Sequence, residues 1–320
     1  MKVKIKDYWK VLKQSFSEFG EQQITKKAAA LAYYTIFSLA PMLIIILSIV
    51  EFIWGDKAVE GSLYGQISGM VGASAATQIQ EMIKNAAISG KSTVATIISV
   101  ITLILSATGV FTEIQDSINS IWHLKAKPKV GFMKMLMNRL ISFSMVVGLG
   151  FILLVSLVVT AMIEAFGKAL ERMMPHVTVY ILYAINLAVT LGVVTVLFAI
   201  IFKVLPDAKI RWKDVWAGAF VTAIFFIIGK FLITVYLGTS NVTSSYGAAG
   251  SLIVILLWVY YSSIILYFGA IFTRIYAQFR GFKITPNHYA VFISNIELET
   301  TAPLTELDET KKTKEELKDK

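Results

Sequence analysis

The sequence predicts an all-α, polytopic membrane protein with six transmembrane helices and cytoplasmic N- and C-termini. Three observations support this prediction: long apolar runs, a one-sided distribution of Lys and Arg, and tryptophans near the ends of the runs. The composition agrees, because 56% of the 320 residues are hydrophobic and only 16% are charged, whereas a soluble domain has about 25% charged residues. The chain has no cysteine, which excludes disulfides, thiolate nucleophiles and cysteine metal sites.

Six apolar runs are long enough to cross a hydrocarbon core of about 30 Å as helices, which requires at least about 18 residues. The runs cover 28–54, 94–111, 140–163, 177–202, 215–237 and 248–273. Because none of them alternates strictly between apolar and polar residues, a β-barrel is disfavoured. We therefore expect a six-helix transmembrane domain over 28–277.

The basic residues predict the orientation. Of the 30 Lys and Arg, 24 lie before the first run, between runs two and three, between runs four and five, or after the sixth run. By the positive-inside rule these segments are cytoplasmic. The net charge of +9 is then explained by loops that face anionic lipid, and no nucleic-acid partner is expected.

Segments outside the runs have their own patterns. Residues 1–27 contain an amphipathic helix over 7–23, with Trp9 and Phe16 on its apolar side, which we expect to lie on the cytoplasmic leaflet. The outer loop 55–91 has apolar residues at helical spacing and is interpreted as an amphipathic hairpin. The cytoplasmic tail 278–320 is expected to be largely disordered from 297.

The first run carries hydroxyl groups beside a proline. Tyr33, Tyr34 and Ser38 precede Pro41, which removes a backbone donor and bends a helix. These residues are candidates for the wall of a polar, substrate-binding cavity. The alternative is that the tyrosines belong to an aromatic belt and that Pro41 is a packing kink.

Lys230 is the basic residue that falls inside a run. Charged residues in membrane spans are rare and usually functional, so Lys230 is a candidate to attract an anionic group in the same cavity. The alternative is that its long side chain reaches the membrane surface and has no ligand.

The sixth run and the loop before it supply further hydroxyls from Tyr246, Tyr260 and Tyr261. Hydroxyls buried in hydrocarbon need partners, and a polar cavity would provide them. Hydrogen bonds between helices are the alternative.

A polar face follows the second run, and it is interpreted as a solvated cytoplasmic face. Its members are Glu113, Asp116, Asn119, Ser120 and His123. Because no second histidine or acidic cluster lies nearby in sequence, no metal site is predicted. The chain also lacks Walker A, dinucleotide-binding, HExxH and GxSxG motifs, so neither a cofactor nor an enzymatic activity is expected.

Three stretches resemble the YihY/BrkB family of bacterial inner-membrane proteins: AAALAYYTIFSLAP in the first run, NSIW at 119–122, and YGAAGSLIVILLWVYYSSIILYFGAIFTR around the sixth run. The resemblance implies six helices in the bacterial inner membrane, a link to virulence, and a role in moving substrates or lipids. The family's older label, ribonuclease BN, is disfavoured here because the sequence lacks the metal motif of a hydrolytic nuclease.

Two functional hypotheses follow. In the preferred one, the protein is a transporter or lipid-handling protein that binds an anionic amphiphile in a polar cavity, with membrane lipids as its partners. In the alternative, it is a non-transporting scaffold whose basic loops recruit other molecules. The sequence leaves oligomeric state, substrate and direction of transport open.

Overall fold

A computed structural model describes residues 5–38, 109–126, 175–239, 250–288 and 290–293. These residues form six helices and four short strands. In chain order they are α1 (Ile5–Glu21), α2 (24–38), α3 (109–121), β1 (Leu124–Ala126), α4 (Pro175–Val204), β2 (Ala208–Lys209), α5 (Trp212–Thr239), α6 (Gly250–Phe279), β3 (Thr285–Pro286) and β4 (Ala290–Phe292).

Three of these helices are long and apolar enough to cross a membrane. The candidate spans are Ala184–Val204 in α4, Trp212–Tyr236 in α5 and Ile253–Phe279 in α6. The prediction of long apolar helices near 177–202, 215–237 and 248–273 is therefore confirmed. Helix α6 continues six residues beyond the predicted end at Thr273. In this stretch Arg274 pairs with Glu18 and the Tyr276 ring stacks on Tyr8, and both partners belong to α1.

Close packing of α5 against α6 depends on glycines. A β-carbon at Gly218 or Gly269 would overlap a threonine side chain of the other helix, and one at Gly229 would overlap the Tyr261 hydroxyl. Small residues are typical of membrane helix interfaces, because they let two backbones approach closely. Helices α5 and α6 therefore pack tightly against each other. Helix α4 also packs against α5.

Large apolar side chains cover the opposite face of α5. Phe220, Ile224, Phe231 and Leu232 are all exposed, and Phe231 reaches 68%. A helix with one packed face and one exposed apolar face is what lipid contact requires.

Helix α1 packs on the second half of α6. Val11 and Ser15 are buried, and the Phe16 ring contacts Phe268 at 4.7 Å between centroids. The predicted helix is confirmed, but its packed side is centred on Val11 and Ser15. Trp9, which was expected on the apolar side, is 69% exposed and points away from the bundle.

The ends of α4 and α6 and the start of α5 meet beside α1 at one end of the bundle. We call it the basic end, after Lys203, Arg211, Arg274 and Arg280. Two antiparallel strand pairs lie there: β1 pairs with β4, and β2 pairs with β3. The pairs connect residues after α6 to segments far earlier in the chain, and no pattern in the sequence predicted them.

A left-handed glycine redirects the chain from α6 into these strands. Gly281 has φ of 71°, and the amides of Gly281 and Phe282 donate to the carbonyls of Gln278 and Ala277 at 2.8 and 3.0 Å. This Schellman arrangement satisfies carbonyls at the helix end.

Several predicted features lie outside the described residues. They are the run 140–163, the outer hairpin 55–91, the tail from 297, Pro41 and Tyr246.

Candidate functional site

Lys230 lies on the inward side of α5. It follows the partly buried Phe226 by four residues and precedes the buried Ile233 by three, so the helical repeat places all three on one side. Phe226 contacts Phe198 of α4 and Trp258 of α6. The Lys230 side chain is partly buried. The backbone end of the Lys230 side chain therefore lies on the side of α5 that faces protein. The next residue, Phe231, is exposed.

Tyr261 of α6 meets α5 one position before Lys230. Its hydroxyl donates to the Phe225 carbonyl at 3.0 Å, and its ring lies over Gly229. Tyr260 is partly buried and packs against the hydrophobic core. The structure therefore brings the candidates on α5 and α6 within one helical turn of each other. The Tyr261 hydroxyl itself is used in a hydrogen bond between the two helices.

The candidates on α2 form a separate group. Tyr33 and Tyr34 are 60% and 42% exposed, and Tyr33 contacts the rings of Tyr34 and Phe37. Ser38 is buried and donates to the Thr35 carbonyl at 2.7 Å. These contacts are with each other and with their own helix, whereas Tyr261 contacts α5.

A buried hydrogen-bond network joins α3 to the loop between α4 and α5. Asn119 donates to the Asp207 carboxylate at 3.0 Å and accepts from the Asp207 amide at 2.8 Å. Gln115 donates to the other carboxylate oxygen at 3.2 Å. Asn119 and Asp207 are 5% and 4% exposed. The expectation that the whole polar face of α3 is solvated is therefore wrong for Asn119.

Trp122 is the second residue of the NSIW stretch that connects α3 to another element. Its ring is 2% exposed, and its indole N–H donates to the Ala270 carbonyl of α6 at 3.2 Å. The Trp122 ring is therefore part of the protein core. NSIW thus fastens α3 to two other elements.

Two ion-pair clusters, each built around a buried charge, complete the basic end. Asp214 is fully buried and accepts from Arg211 and Arg280 at 2.8 and 3.2 Å. Arg274 pairs with Glu18 and so joins α6 to α1. Several basic residues that were assigned to orientation therefore also tie helices together.

A second group of ionisable residues lies near Asp207, and we call it the carboxylate cluster: Glu113 and Asp116 on α3, Asp207, and Lys27 on α2. Ser117 donates to a Glu113 oxygen at 3.0 Å. Glu113 interacts electrostatically with Lys27, and Asp116 interacts with both Glu113 and Asp207. Of the three carboxylates, Glu113 is the one that interacts with Lys27.

The Tyr267 hydroxyl of α6 faces this cluster from inside the bundle. Tyr267 is completely buried; its hydroxyl lies close enough to Ser117 to be influenced by a hydrogen bond from that side chain, and Glu113 interacts with it electrostatically. The contact with Ser117 falls short of normal hydrogen-bond geometry.

The cluster changes the pKa of two of its members. Burial raises the pKa of Asp116, and the negative charges of Glu113 and Asp207 raise it further. Burial lowers the pKa of Lys27, and the attraction of Glu113 opposes that change. The cluster therefore favours less charge on Asp116 than an isolated aspartate would carry.

Apolar membrane-length helices joined by a polar, basic end define an integral membrane protein. The family model described as virulence factor BrkB matches residues 15–290. The chain belongs to this family.

Relatives in the same family are themselves membrane proteins. A UPF0761 membrane protein of Haemophilus influenzae is 26% identical over 80% of this chain and 90% of its own length. One from Aggregatibacter aphrophilus is 25% identical over 86% of this chain and 95% of its own. No solved structure matches the chain. The resemblance inferred from the sequence is confirmed.

Proposed function

We propose that the protein is a transporter or lipid-handling protein of the bacterial inner membrane, and that Lys230 attracts the anionic group of an amphiphile. The observation that carries this proposal is the position of Lys230 on the inward side of α5. An ammonium in a low-dielectric site binds an anion more strongly than one in water. Tyr261 lies beside it on α6, where its side chain packs over Gly229.

We further propose six membrane spans, with the basic end in the cytoplasm. The three long helices α4, α5 and α6 support the hydropathy pattern on which the six spans rest. Lys203, Arg211 and Arg274 lie at one end of these helices. The excess of basic residues in alternate segments then sets the orientation.

We propose that the protein acts without enzymatic chemistry, cofactor or metal and has membrane lipids, not nucleic acid, as its partners. The support is chemical: the sequence has three histidines and no cysteine. In the described ranges, no group of three or more His, Asp or Glu is arranged to hold a metal ion.

A packed scaffold is the second candidate, and one observation favours it. The Tyr261 hydroxyl donates its proton to the Phe225 carbonyl, and a β-carbon at Gly229 would overlap the Tyr261 side chain. In a scaffold the hydroxyl groups of α6 would serve helix packing, and Lys230 would have no ligand.

Exchange of labelled lipids between leaflets of proteoliposomes separates these candidates. The wild type should accelerate exchange of an anionic lipid, and Lys230→Met should remove most of that acceleration. Lys213→Met, at an exposed position outside the predicted fifth run, is the matched control and should retain it. Exchange equal to that of protein-free liposomes would support the scaffold.

A further inference from the structure

Two basic side chains lie on the same exposed side of the chain that leads from β2 into α5. Ala208 and Ile210 are buried. Lys209 and Arg211, which alternate with them, are exposed. Because burial alternates with a period of two, as it does in extended chain, Lys209 and Arg211 are on one side.

The partner strand brings a third basic residue to this side. Strand β3 pairs antiparallel with β2, with Lys209 opposite Thr285. Continuing that register by two residues on each strand places Arg211 opposite Lys283, which is exposed. The Arg211 guanidinium lies 4.5 Å from the centroid of the adjoining Phe282 ring, which fits this placement. We call Lys209, Arg211 and Lys283 the cation face.

The surrounding chain offers the cation face few negative charges. Residues 203–216 contain two acidic side chains, Asp207 and Asp214, and both are buried. Residues 280–288 contain none. Asp214 accepts from Arg211 Nε, yet 45% of the Arg211 side chain stays exposed. Among the described residues, neither lysine of the cation face has a carboxylate partner. Like charges opposite each other in a strand pair are destabilising, so this face favours a bound anion.

The cation face lies where three candidate membrane spans end. The span in α4 ends at Val204, the span in α5 begins at Trp212, and the span in α6 ends at Phe279. Each residue of the cation face is within four residues of one of these ends. Hydrocarbon gives way to phospholipid headgroups at the end of a span. The anion available at this level is therefore the phosphate of a headgroup.

An exposed apolar ridge begins beside the cation face and follows α5. Trp212 comes directly after Arg211, and the Lys203 ammonium, which donates to the Ile210 carbonyl at 2.5 Å, lies 5.6 Å from the centroid of the Trp212 ring. The ridge continues at steps of four residues, the spacing that aligns side chains along a helix. Its members are Trp212, Trp216, Phe220, Ile224 and Ile228, all exposed. Tryptophan is favoured at the boundary between headgroups and hydrocarbon, so the ridge suits the glycerol region and acyl chains of a lipid.

We propose that the cation face and Trp212 bind the headgroup of an anionic phospholipid, whose acyl chains follow the apolar ridge. Phosphate oxygens accept hydrogen bonds from the guanidinium and from the two ammonium groups. Because each helical residue advances about 1.5 Å, Lys230 lies about 27 Å further along α5 than Trp212. The lipid site is therefore separate from Lys230 and does not rest on the proposed transport function.

Native mass spectrometry of the full-length protein counts bound lipids without any transport. The protein in non-ionic detergent is mixed with equal amounts of phosphatidylglycerol and phosphatidylcholine that have identical acyl chains. The first lipid is anionic and the second is zwitterionic. The wild type should retain phosphatidylglycerol in preference to phosphatidylcholine. Equal retention of the two lipids would overturn the proposal.

Paired charge-removing variants locate the preference. Lys209→Gln/Lys283→Gln removes two exposed cations and should weaken phosphatidylglycerol binding by about 10- to 30-fold. Lys10→Gln/Lys13→Gln is the matched control, because it removes the same charge from exposed positions on α1. The control should retain the wild-type preference. Equal weakening in both double variants would show that net charge alone attracts the lipid, and it would overturn the site.

Glycerol 1-phosphate separates a lipid site from a site for soluble phosphates, because it carries the phosphate without acyl chains. At equal concentration it should leave phosphatidylglycerol bound. Trp212→Ala removes the first side chain of the ridge and should weaken retention of phosphatidylglycerol. Displacement of the lipid by glycerol 1-phosphate, or retention unchanged in Trp212→Ala, would contradict the assignment to a phospholipid.

Discussion

The hydrogen bonds between Asn119 and Asp207 should make Asn119 one of the most sensitive positions in the protein. Asn119→Ala removes a donor to a buried carboxylate and leaves the Asp207 amide without its acceptor. A bond to a charged group contributes about 1.5 to 3 kcal/mol, and an unsatisfied buried group costs about 1 to 3 kcal/mol. Because Gln115 still donates to Asp207, we expect the free energy of unfolding to fall by about 3 to 5 kcal/mol.

Reversible unfolding in mixed micelles, followed by circular dichroism, measures this loss. Ser120→Ala changes the next residue, whose side chain is exposed, and should stay within about 0.5 kcal/mol of the wild type. The exchanged pair Asn119→Asp/Asp207→Asn keeps one carboxylate and one amide and should recover part of the stability. If the free energy of unfolding of Asn119→Ala lies within about 0.5 kcal/mol of the wild-type value, the network does not stabilise the fold.

Three further predictions follow from the packing and the charge distribution. Tyr261→Phe should lower the free energy of unfolding by about 0.6 to 1.7 kcal/mol and Gly229→Ala by about 1 to 3 kcal/mol in the same assay; no effect of either would contradict the close α5–α6 contact. Arg274→Met and Glu18→Met should each lower the free energy of unfolding by about 3 to 5 kcal/mol. The double variant should lose less than the two single losses added together. If the two losses were strictly additive, Arg274 and Glu18 would not interact. Because the chain has no cysteine, His288→Cys gives a single labelling site, which an impermeant thiol reagent should reach only in permeabilised cells; labelling of intact cells would reverse the proposed orientation.

Hydropathy predicted the long helices well, because a helix in lipid must satisfy its backbone internally and present apolar side chains. The limits of α4 and α5 lie within three residues of the predicted runs. The predicted end of the sixth run at Thr273 lies six residues before the end of α6. In sequence, Arg274 resembles a charged residue that ends a membrane span. In the structure the Arg274 charge is paired with Glu18, 256 residues away.

Polar contacts at the basic end were much harder to predict. Asn119 has a polar neighbour in Ser120 and fits a solvated face by periodicity, yet its partner Asp207 is 88 residues away in sequence. Strands of two or three residues carry too little pattern to be recognised. Tyr267 looked like one more aromatic residue of an apolar helix, and only its burial beside Ser117 distinguishes it.

The position of Lys230 is the part of the site that the sequence identified most directly, since a lysine in an apolar run stands out. Sequence alone left open whether it faces protein or only reaches toward the membrane surface. The Lys230 side chain is partly buried, and Phe226 and Ile233 lie on the same side of α5. The backbone end of the Lys230 side chain is therefore on the protein-facing side of the helix.

We propose that this membrane protein moves an anionic amphiphile with the help of Lys230. The most direct measurement is the rate at which a labelled anionic lipid crosses between leaflets of liposomes that contain the purified protein, compared for wild type and Lys230→Met. The wild type should accelerate this crossing, and Lys230→Met should lose most of the acceleration. Equal rates for the two proteins, or a wild-type rate equal to that of protein-free liposomes, would contradict it.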